Sequence, residues 1–516
     1  MAVLAGTEDF PLELKPDSLI EPQKSLAFSE HGSAVLVVEP ESASWTVLDE
    51  FSCNVLKELA GGLSFGELAG RLASHEPAEV KDFITGLCRL NFLRVNGRTF
   101  YDPKALWESG RKYPHFISLH VTNRCNFSCL YCYNSSSPAR TDMALETSKY
   151  LVKRLLFELP LPSLTIEFHG GEPLLVFDEV VLPTVRYGQS LSKALGKTVN
   201  FLMQTNGSLI TGRTASLLAR HDIRAGISCD GSEALHNRNR VRSDGSGTYE
   251  ATLGGIENLI ARRRHAGTLA TIERPEDYSS VLRHALSHDI HDISIRPVYP
   301  MGRAKARGGI RPENAPSFAE GFLEAADLVK EINRGSTPFE AEERPVKKRM
   351  VFRNLCTYLD LLTSKERADM CYRSPCGAGN SIIAFDTDGG IYPCEEMTGI
   401  ESFRMGNVYD RGDLSAIITG SSPYQVLNER RVESLKSCGR CKWMRLCGGG
   451  CISKIAASGG DPEHGDYYCG FHKVVLEELA LRISSDPSLV QDLLGTESPE
   501  RKPVYSSLWR LSLGPR

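Results

Sequence analysis

Eleven of the fifteen cysteines fall into two fields whose spacing suits metal chemistry. The first, Cys125-x3-Cys129-x2-Cys132, lies within Arg124 to Tyr133, directly after the apolar run Ile117 to Val121. Thiolates are soft ligands that suit iron-sulfur clusters or zinc. Three of them on one tight loop leave a metal position unfilled, which is how a site is built for chemistry and not only for structure. A zinc knuckle with a distant fourth ligand is the structural alternative. The second field reads Cys371-x4-Cys376-x12-Gly389-x4-Cys394, then Cys438-x2-Cys441-x5-Cys447-x3-Cys451, then Cys469. Eight thiolates fill two four-iron clusters, since each takes four; two structural zinc ions would use the same number. Cys53, Cys88, Cys229 and Cys356 belong to no array and read as buried small apolar residues.

Polar residues also gather where strand-like runs end. His169-Gly-Gly-Glu-Pro173 follows Leu164 to Phe168. Gly170 and Gly171 let backbone approach a ligand with no side chain between, and the Glu172 carboxylate can hold an ammonium group. His169 reads as a loop-ordering residue. Gln204-Thr-Asn-Gly207 and Ser228-Cys-Asp-Gly231 close two further runs. Thr205, Asn206 and Ser228 can hydrogen-bond a ribose or a carboxylate, and each following glycine permits the turn away. Arg240 offers a fork of donors suited to a carboxylate, or is a solvated loop arginine.

At this spacing, with an aromatic residue before its last cysteine, the first array resembles the signature of the radical S-adenosylmethionine (SAM) enzymes. One βα unit later, Gly-Gly-Glu-Pro resembles their motif for the methionyl amine. The second field resembles the SPASM domain, the twin-cluster extension of peptide-modifying members. The resemblance implies SAM and three 4Fe-4S clusters as cofactors. Cys125, Cys129 and Cys132 would hold the SAM-binding cluster. Cys371, Cys376, Cys394 and Cys451 would hold the nearer auxiliary cluster, and Cys438, Cys441, Cys447 and Cys469 the outer one. It implies SAM contacts at Gly170, Gly171, Glu172, Thr205, Asn206 and Ser228, with Arg240 on the SAM carboxylate, the Tyr131 backbone on adenine and Arg296 near it. Glu395 stands where related sulfatase-maturing enzymes carry an aspartate proposed as a base, and is the candidate catalytic residue. Glutamate departs from that pattern, and a supporting or exposed carboxylate is its other reading.

These residues need a frame that gathers strand ends. Ile117 to Val121, Leu164 to Phe168, Val199 to Gln204, Arg224 to Cys229, Leu269 to Glu273 and Asp292 to Val298 read as strands. Helical patterns lie between most of them, such as Met143 to Leu159 with Leu151, Val152, Leu155 and Leu156 at turn spacing. The fold class is therefore α/β: a partial (βα)6 TIM-like barrel over residues 110–340, with its site at the carboxyl ends of the strands. A helical linker (341–370), a cysteine-rich cluster-binding domain (371–475) and a C-terminal helix and tail (476–516) follow.

Ahead of the barrel, residues 1–20 read as a tail and 21–105 as a winged-helix-like module. Ser33 to Val38 and Ser44 to Leu48 have strand composition. Helices follow at Asp49 to Leu59, after the N-cap Ser64 with Glu67, and at Pro77 to Leu90. Phe92 to Val95 and Arg98 to Tyr101 read as a hairpin. Residues 21–100 hold 7 Lys+Arg against 11 Asp+Glu, the wrong balance for a phosphate-binding face. The segment instead resembles the PqqD-like domain of ribosomal-peptide maturases, which adds a leader peptide to a sheet edge.

The 516-residue chain is 41% hydrophobic and 24% charged with net charge -4, and shows neither a membrane span nor a signal peptide, so cytoplasmic localisation is expected. The resemblance implies a radical SAM maturase that crosslinks a ribosomally made precursor peptide, bound through its leader on the N-terminal module. A thioether to a cysteine is the first product, carbon-carbon crosslinking the second, and formylglycine formation on a sulfatase the third. A flavodoxin or ferredoxin is the implied electron donor, and neither nucleic acid nor membrane is an expected partner. A zinc-stiffened winged-helix regulator is the non-enzymatic alternative.

Overall fold

The computed structural model describes residues 13–103, 113–136, 141–262, 267–335, 349–364, 370–457, 459–494 and 508–514. Six parallel strands stand side by side in chain order: Phe116–Thr122, Ser163–Gly170, Thr198–Thr205, Ile223–Ser228, Gly267–Ile272 and Asp292–Pro297. Each expected strand forms within a residue or two of its expected bounds. In the second strand Leu164, Ile166 and Phe168 are buried while Thr165, Glu167 and His169 are half-buried. The alternation sends the apolar set out under the helices and the polar set into the barrel interior. Helix Leu145–Glu158 buries Leu151, Val152, Leu155 and Leu156, as their spacing predicts.

The sheet exceeds six strands. Val351–Phe352 adds a short parallel strand beyond the sixth, within the expected linker, followed by helix Arg353–Thr363. Residues 341–348 and 365–369 of that linker lie outside the described residues. On the other side, Ile382–Phe385 pairs in parallel with the first barrel strand and leads antiparallel into Gly390–Tyr392 and Gly406–Asn407. The cysteine-rich region is thus a continuation of the barrel sheet, and one apolar core runs through both. That continuity fixes Cys376 and Cys394, on either side of the Ile382–Phe385 and Gly390–Tyr392 pair, relative to the barrel.

The N-terminal module has its own core. Ala27–His31, Ala34–Glu39 and Ser44–Asp49 form an antiparallel meander, and helices Glu50–Glu58, Phe65–Arg71 and Pro77–Arg89 follow. Ser64 and Glu67 make the expected capping box. Three expectations are corrected. Residues 13–20 are not a loose tail, because Leu19–Pro22 is a strand with Ile20 fully buried; residues 1–12 lie outside the described residues. The hairpin of Phe92–Val95 with Arg98–Tyr101 reduces to one bridge, Val95 to Arg98, and Leu93–Val95 pairs with Leu19–Pro22 instead. The reason is the buried Asn91, whose side chain accepts from Phe100 N at 3.1 Å and Tyr101 N at 3.4 Å and draws the returning chain off the ladder. The C-terminal region is not a helix with a trailing tail. Helix Cys469–Ser485 begins inside the cysteine region, Ser488–Leu494 follows, and Arg510–Leu511 pairs in parallel with Ser44–Asp49.

Glu477 joins the module to the cysteine region, through His31 Nε2 at 3.0 Å and Lys442 Nζ at 2.6 Å. Among the described residues no helix is long and apolar enough to cross a membrane.

Candidate active site

The three-cysteine loop is pinned from three sides. At its start, Asp142 accepts from Thr122 Oγ1 at 2.6 Å and from Arg124 Nε at 2.9 Å. Further along, Ser128 N and Leu130 N donate to Val241 O and Asn239 O at 2.7 and 2.8 Å. Beneath, Phe127 is 4% exposed, while Cys125 stays exposed and Cys129 and Cys132 half-buried. A loop anchored by its backbone and apolar residue, with its thiols turned outward, presents them as a set. Burial pushes the Cys129 thiol up to about 11, against the pull of Arg240. Such thiols become thiolates when a metal takes the place of their protons.

Gly170 and Gly171 serve the loop directly. A Cβ on Gly171 would lie 2.0 Å from Arg124 O, and one on Gly170, whose φ is +118°, would lie 2.3 Å from Thr122 O. Gly171 N donates to Thr122 O at 2.7 Å, and Glu172 N to Arg124 O at 2.8 Å. The paired glycines therefore let the cluster loop and the Gly-Gly-Glu turn lie backbone to backbone. Glu172 is fully buried and accepts from Thr205 Oγ1 at 2.7 Å, Asn206 N at 2.8 Å and Leu174 N at 3.0 Å. Burial lifts its pKa to about 7 against these donors. A carboxylate offers about four lone-pair sites, so an ammonium group can take the one left. Asn206 Nδ2 ties this turn to Asn126 of the loop at 2.8 Å. Glu172, Thr205, Asn206 and the cysteine loop thus form one assembly.

Arg240 sits in a second assembly. Its guanidinium donates to Asp230 at 3.0 Å and lies 5.3 Å over the Tyr131 ring, while the Tyr131 hydroxyl also donates to Asp230. Asp230 further accepts from Thr271 N at 2.8 Å. Arg240 is only 6% exposed, so it is no solvated loop arginine. In this structure its fork is engaged by Asp230. Sequence reasoning passed over Asp230, between Cys229 and Gly231. Ser228, half-buried, accepts from Gln204 Nε2 at 3.0 Å across the barrel interior.

Arg296 is solvent-accessible between buried Ile295 and Pro297 on the sixth strand, on the strand face opposite theirs. Enclosure by the surrounding chain weakens its charge although solvent still reaches it, and Glu396, Cys371 and Glu395 outweigh that and hold it firmly cationic. Glu167 enters the barrel lumen from the second strand. Burial and the Glu395 charge push its carboxyl up to about 8, against Arg296 and Arg353. Glu395 is itself raised by burial and by Glu396, with Arg296 opposing. Glu396 accepts from Tyr299 at 2.7 Å, with Cys451 Sγ 3.5 Å from its other oxygen. Lys454 Nζ lies 4.5 Å over the rings of both Tyr299 and Tyr468. Tyr133, one residue past Cys132, is driven up by burial and by Glu395, Glu396 and Glu167. Glu167, Glu396, Lys454, Tyr133 and Tyr299 escaped the sequence reading; only Glu167, a charge at an inward position of a buried strand, carried a usable signal. His169 accepts from Gly170 N at 2.8 Å and stacks on His120, 5.2 Å between rings, in keeping with loop ordering.

The remaining cysteines form two neighbourhoods. Cys394 lies within electrostatic reach of Cys451 and Cys376, and Cys371 within reach of Arg296. Cys447 feels Cys469 and Cys438, and Cys469 feels Cys441 and Cys438. All-sulfur sets of this kind suit iron-sulfur clusters or zinc. Among the described residues no three Cys, His, Asp or Glu converge on the position of a single ion. Of the four unassigned cysteines, Cys53, Cys88 and Cys229 are buried and Cys356 is half-buried.

The family model of the radical SAM superfamily matches residues 119–281, and that of the SPASM iron-sulfur cluster-binding domain matches residues 376–442. An uncharacterized protein of Methanocaldococcus jannaschii is 36% identical over 302 residues, 58% of this chain and 90% of that protein. A serine-type anaerobic sulfatase-maturating enzyme of Klebsiella aerogenes is 24% identical over 374 residues, 70% of this chain and 85% of the enzyme. The radical SAM cyclopropyl synthase TigE of Paramaledivibacter caminithermalis is 20% identical over 435 residues, 78% of this chain and 84% of the synthase. Among solved structures, native anSMEcpe with bound AdoMet has a TM-score of 0.61 at 20% identity, covering 73% of this chain and 98% of its own. Streptococcus suis SuiB bound to precursor peptide SuiA has a TM-score of 0.51 at 14% identity, covering 86% and 98%. Both are likenesses of fold.

Proposed function

Because the chain carries a radical SAM domain and a SPASM cluster-binding domain, we propose that it is a cytoplasmic peptide maturase that crosslinks a ribosomally made precursor, first of all by joining a cysteine sulfur to a carbon of another residue. The observation that carries this reading is the shared lumen. Tyr133, next to the three-cysteine loop, and Cys371 and Cys451 of the nearer cysteine group act on the same cluster of Glu167, Arg296, Glu395 and Glu396. A substrate held there lies between two redox sites.

When bound, the clusters and SAM would supply the redox chemistry, namely reductive opening of SAM for hydrogen-atom abstraction and uptake of the electron that the peptide gives up. The residues of the chain do the rest. Glu172 receives the methionyl amine, with Thr205 and Asn206 holding its carboxylate in place. The barrel wall excludes water from the reacting groups, which would confine hydrogen abstraction to the bound peptide. Crosslinking removes two hydrogen atoms from the peptide. One ends on 5'-deoxyadenosine, and the other leaves as a proton and an electron. Glu395, made more basic by burial and by Glu396, takes the proton. Arg296 keeps the neighbouring carboxylates from expelling one another.

The N-terminal module supports a peptide substrate, since its meander is a small sheet whose edges can pair with an extended chain, one of them, Ala27–His31, unpaired among the described residues. Incubating reconstituted enzyme with SAM, reductant and precursor should lower the precursor mass by two hydrogen atoms. An unchanged mass while 5'-deoxyadenosine accumulates counts against crosslinking. The second reading is formylglycine formation, favoured by the sulfatase-maturating relative. Removing residues 1–105 separates the two, because only leader-dependent crosslinking should lose turnover on the full precursor.

A further inference from the structure

One edge of the N-terminal meander is already taken, and the occupant is this chain's own C-terminal segment. Arg510 and Leu511 pair in parallel with Val47 and Leu48, and Val47 N donates to Trp509 O at 3.0 Å. Leu513 N donates to Ser52 Oγ at 2.8 Å, and His75 Nε2 meets Gly514 O at 2.7 Å. Main-chain pairing of this kind is how a sheet edge takes up a peptide from outside. The side chains seat as a ligand's would. Leu508, Leu511 and Leu513 join the core of the module, and Trp509 stacks on Trp45 with centroids 6.3 Å apart and planes 7° apart.

The opposite wall of the groove is helix Pro77–Arg89, and it carries a notch. Gly86 lies mid-helix, where glycine is disfavoured. A Cβ there would come within 3.2 Å of the Leu511 side chain and 3.3 Å of Leu508. Absence of a side chain at Gly86 is what admits the two leucines. The groove is thus shaped on both walls for an added apolar strand that comes from more than four hundred positions away in the sequence.

We propose that the groove between Ser44–Asp49 and Pro77–Arg89 is the docking site for an extended apolar segment of the peptide substrate, and that residues 508–514 are a built-in competitor that this segment displaces. Identification of the displacing partner rests on the peptide-maturase reading; the groove and its resident strand do not. The pattern Leu508-Trp-Arg-Leu511-Ser-Leu513 describes the incoming segment, with apolar side chains at its first, second, fourth and sixth positions. A tethered competitor acts at an effective concentration on the order of millimolar, so the intact enzyme favours substrates that match the pattern well.

The test uses a fluorescein-labelled synthetic peptide of residues 505–516 as probe, read by anisotropy. Probe binding should be at least about tenfold tighter to the chain ending at residue 507 than to the intact chain. Leu511→Asp in the full-length protein, which ejects the strand without shortening the chain, should show the same gain. Gly86→Leu in the shortened chain should abolish binding, while circular dichroism and peptide-independent 5'-deoxyadenosine formation stay unchanged. Folded variants that bind no better than the intact chain, or binding indifferent to Gly86→Leu, would overturn the proposal. Failure of both variants to fold would also overturn it, by making the segment a permanent part of the core. Loss of precursor turnover with probe binding intact would fault the maturase reading and leave the groove standing.

Discussion

Two residues of the Gly-Gly-Glu turn show how differently side chains of one motif act. Gly171 is there for what it lacks. Its Cβ position lies 2.0 Å from the Arg124 carbonyl, so Gly171→Ala should displace the cysteine loop and lower iron content after reconstitution, with far-UV circular dichroism unchanged. Glu172 is there for its charge. With its pKa lifted to about 7, it is largely protonated below that value and ionised above it. An ammonium group binds the ionised form, so SAM affinity measured by equilibrium binding should rise as pH passes upward through about 7. Glu172→Gln should bind more weakly and lose the dependence. Both residues were legible because spacing singles the motif out. Glu396 and Lys454 were not, since a glutamate or lysine acquires meaning only when folding closes the lumen around it. Asp230 was hidden for the same reason: its partners, Tyr131, Arg240 and Thr271, come from three separate parts of the chain.

Among elements, length decided what could be read. The six barrel strands are apolar runs long enough to declare themselves, and the capping box at Ser64 is a local pattern with a local cause. Leu19–Pro22, Val351–Phe352 and Arg510–Leu511 have four, two and two residues. Such segments are strands only because a distant edge is waiting for them, and no window of sequence contains both partners. Joining of the cysteine region to the barrel sheet through Ile382–Phe385 is another such long-range fact. Ile383 on that strand is fully buried, and Ile383→Ala should cost about 2–5 kcal/mol in chemical denaturation. Ser64→Ala, which removes an exposed helix cap, should cost only about 1 kcal/mol.

In the whole molecule the barrel sheet and the cysteine region meet so that the cluster of Glu167, Arg296, Glu395 and Glu396 lies within electrostatic reach of both Tyr133, beside the three-cysteine loop, and Cys371 and Cys451. The contacts of Glu477 with His31 and Lys442 hold the N-terminal module against the cysteine region. The catalytic reading requires the loop of Cys125, Cys129 and Cys132 to hold the group that opens SAM. The most direct measurement is 5'-deoxyadenosine formed per enzyme, under reductant and SAM, by the variant in which all three are alanine. The account predicts none above the enzyme-free background, with the other eight cysteines still binding iron. Production equal to that of the unaltered protein would contradict it.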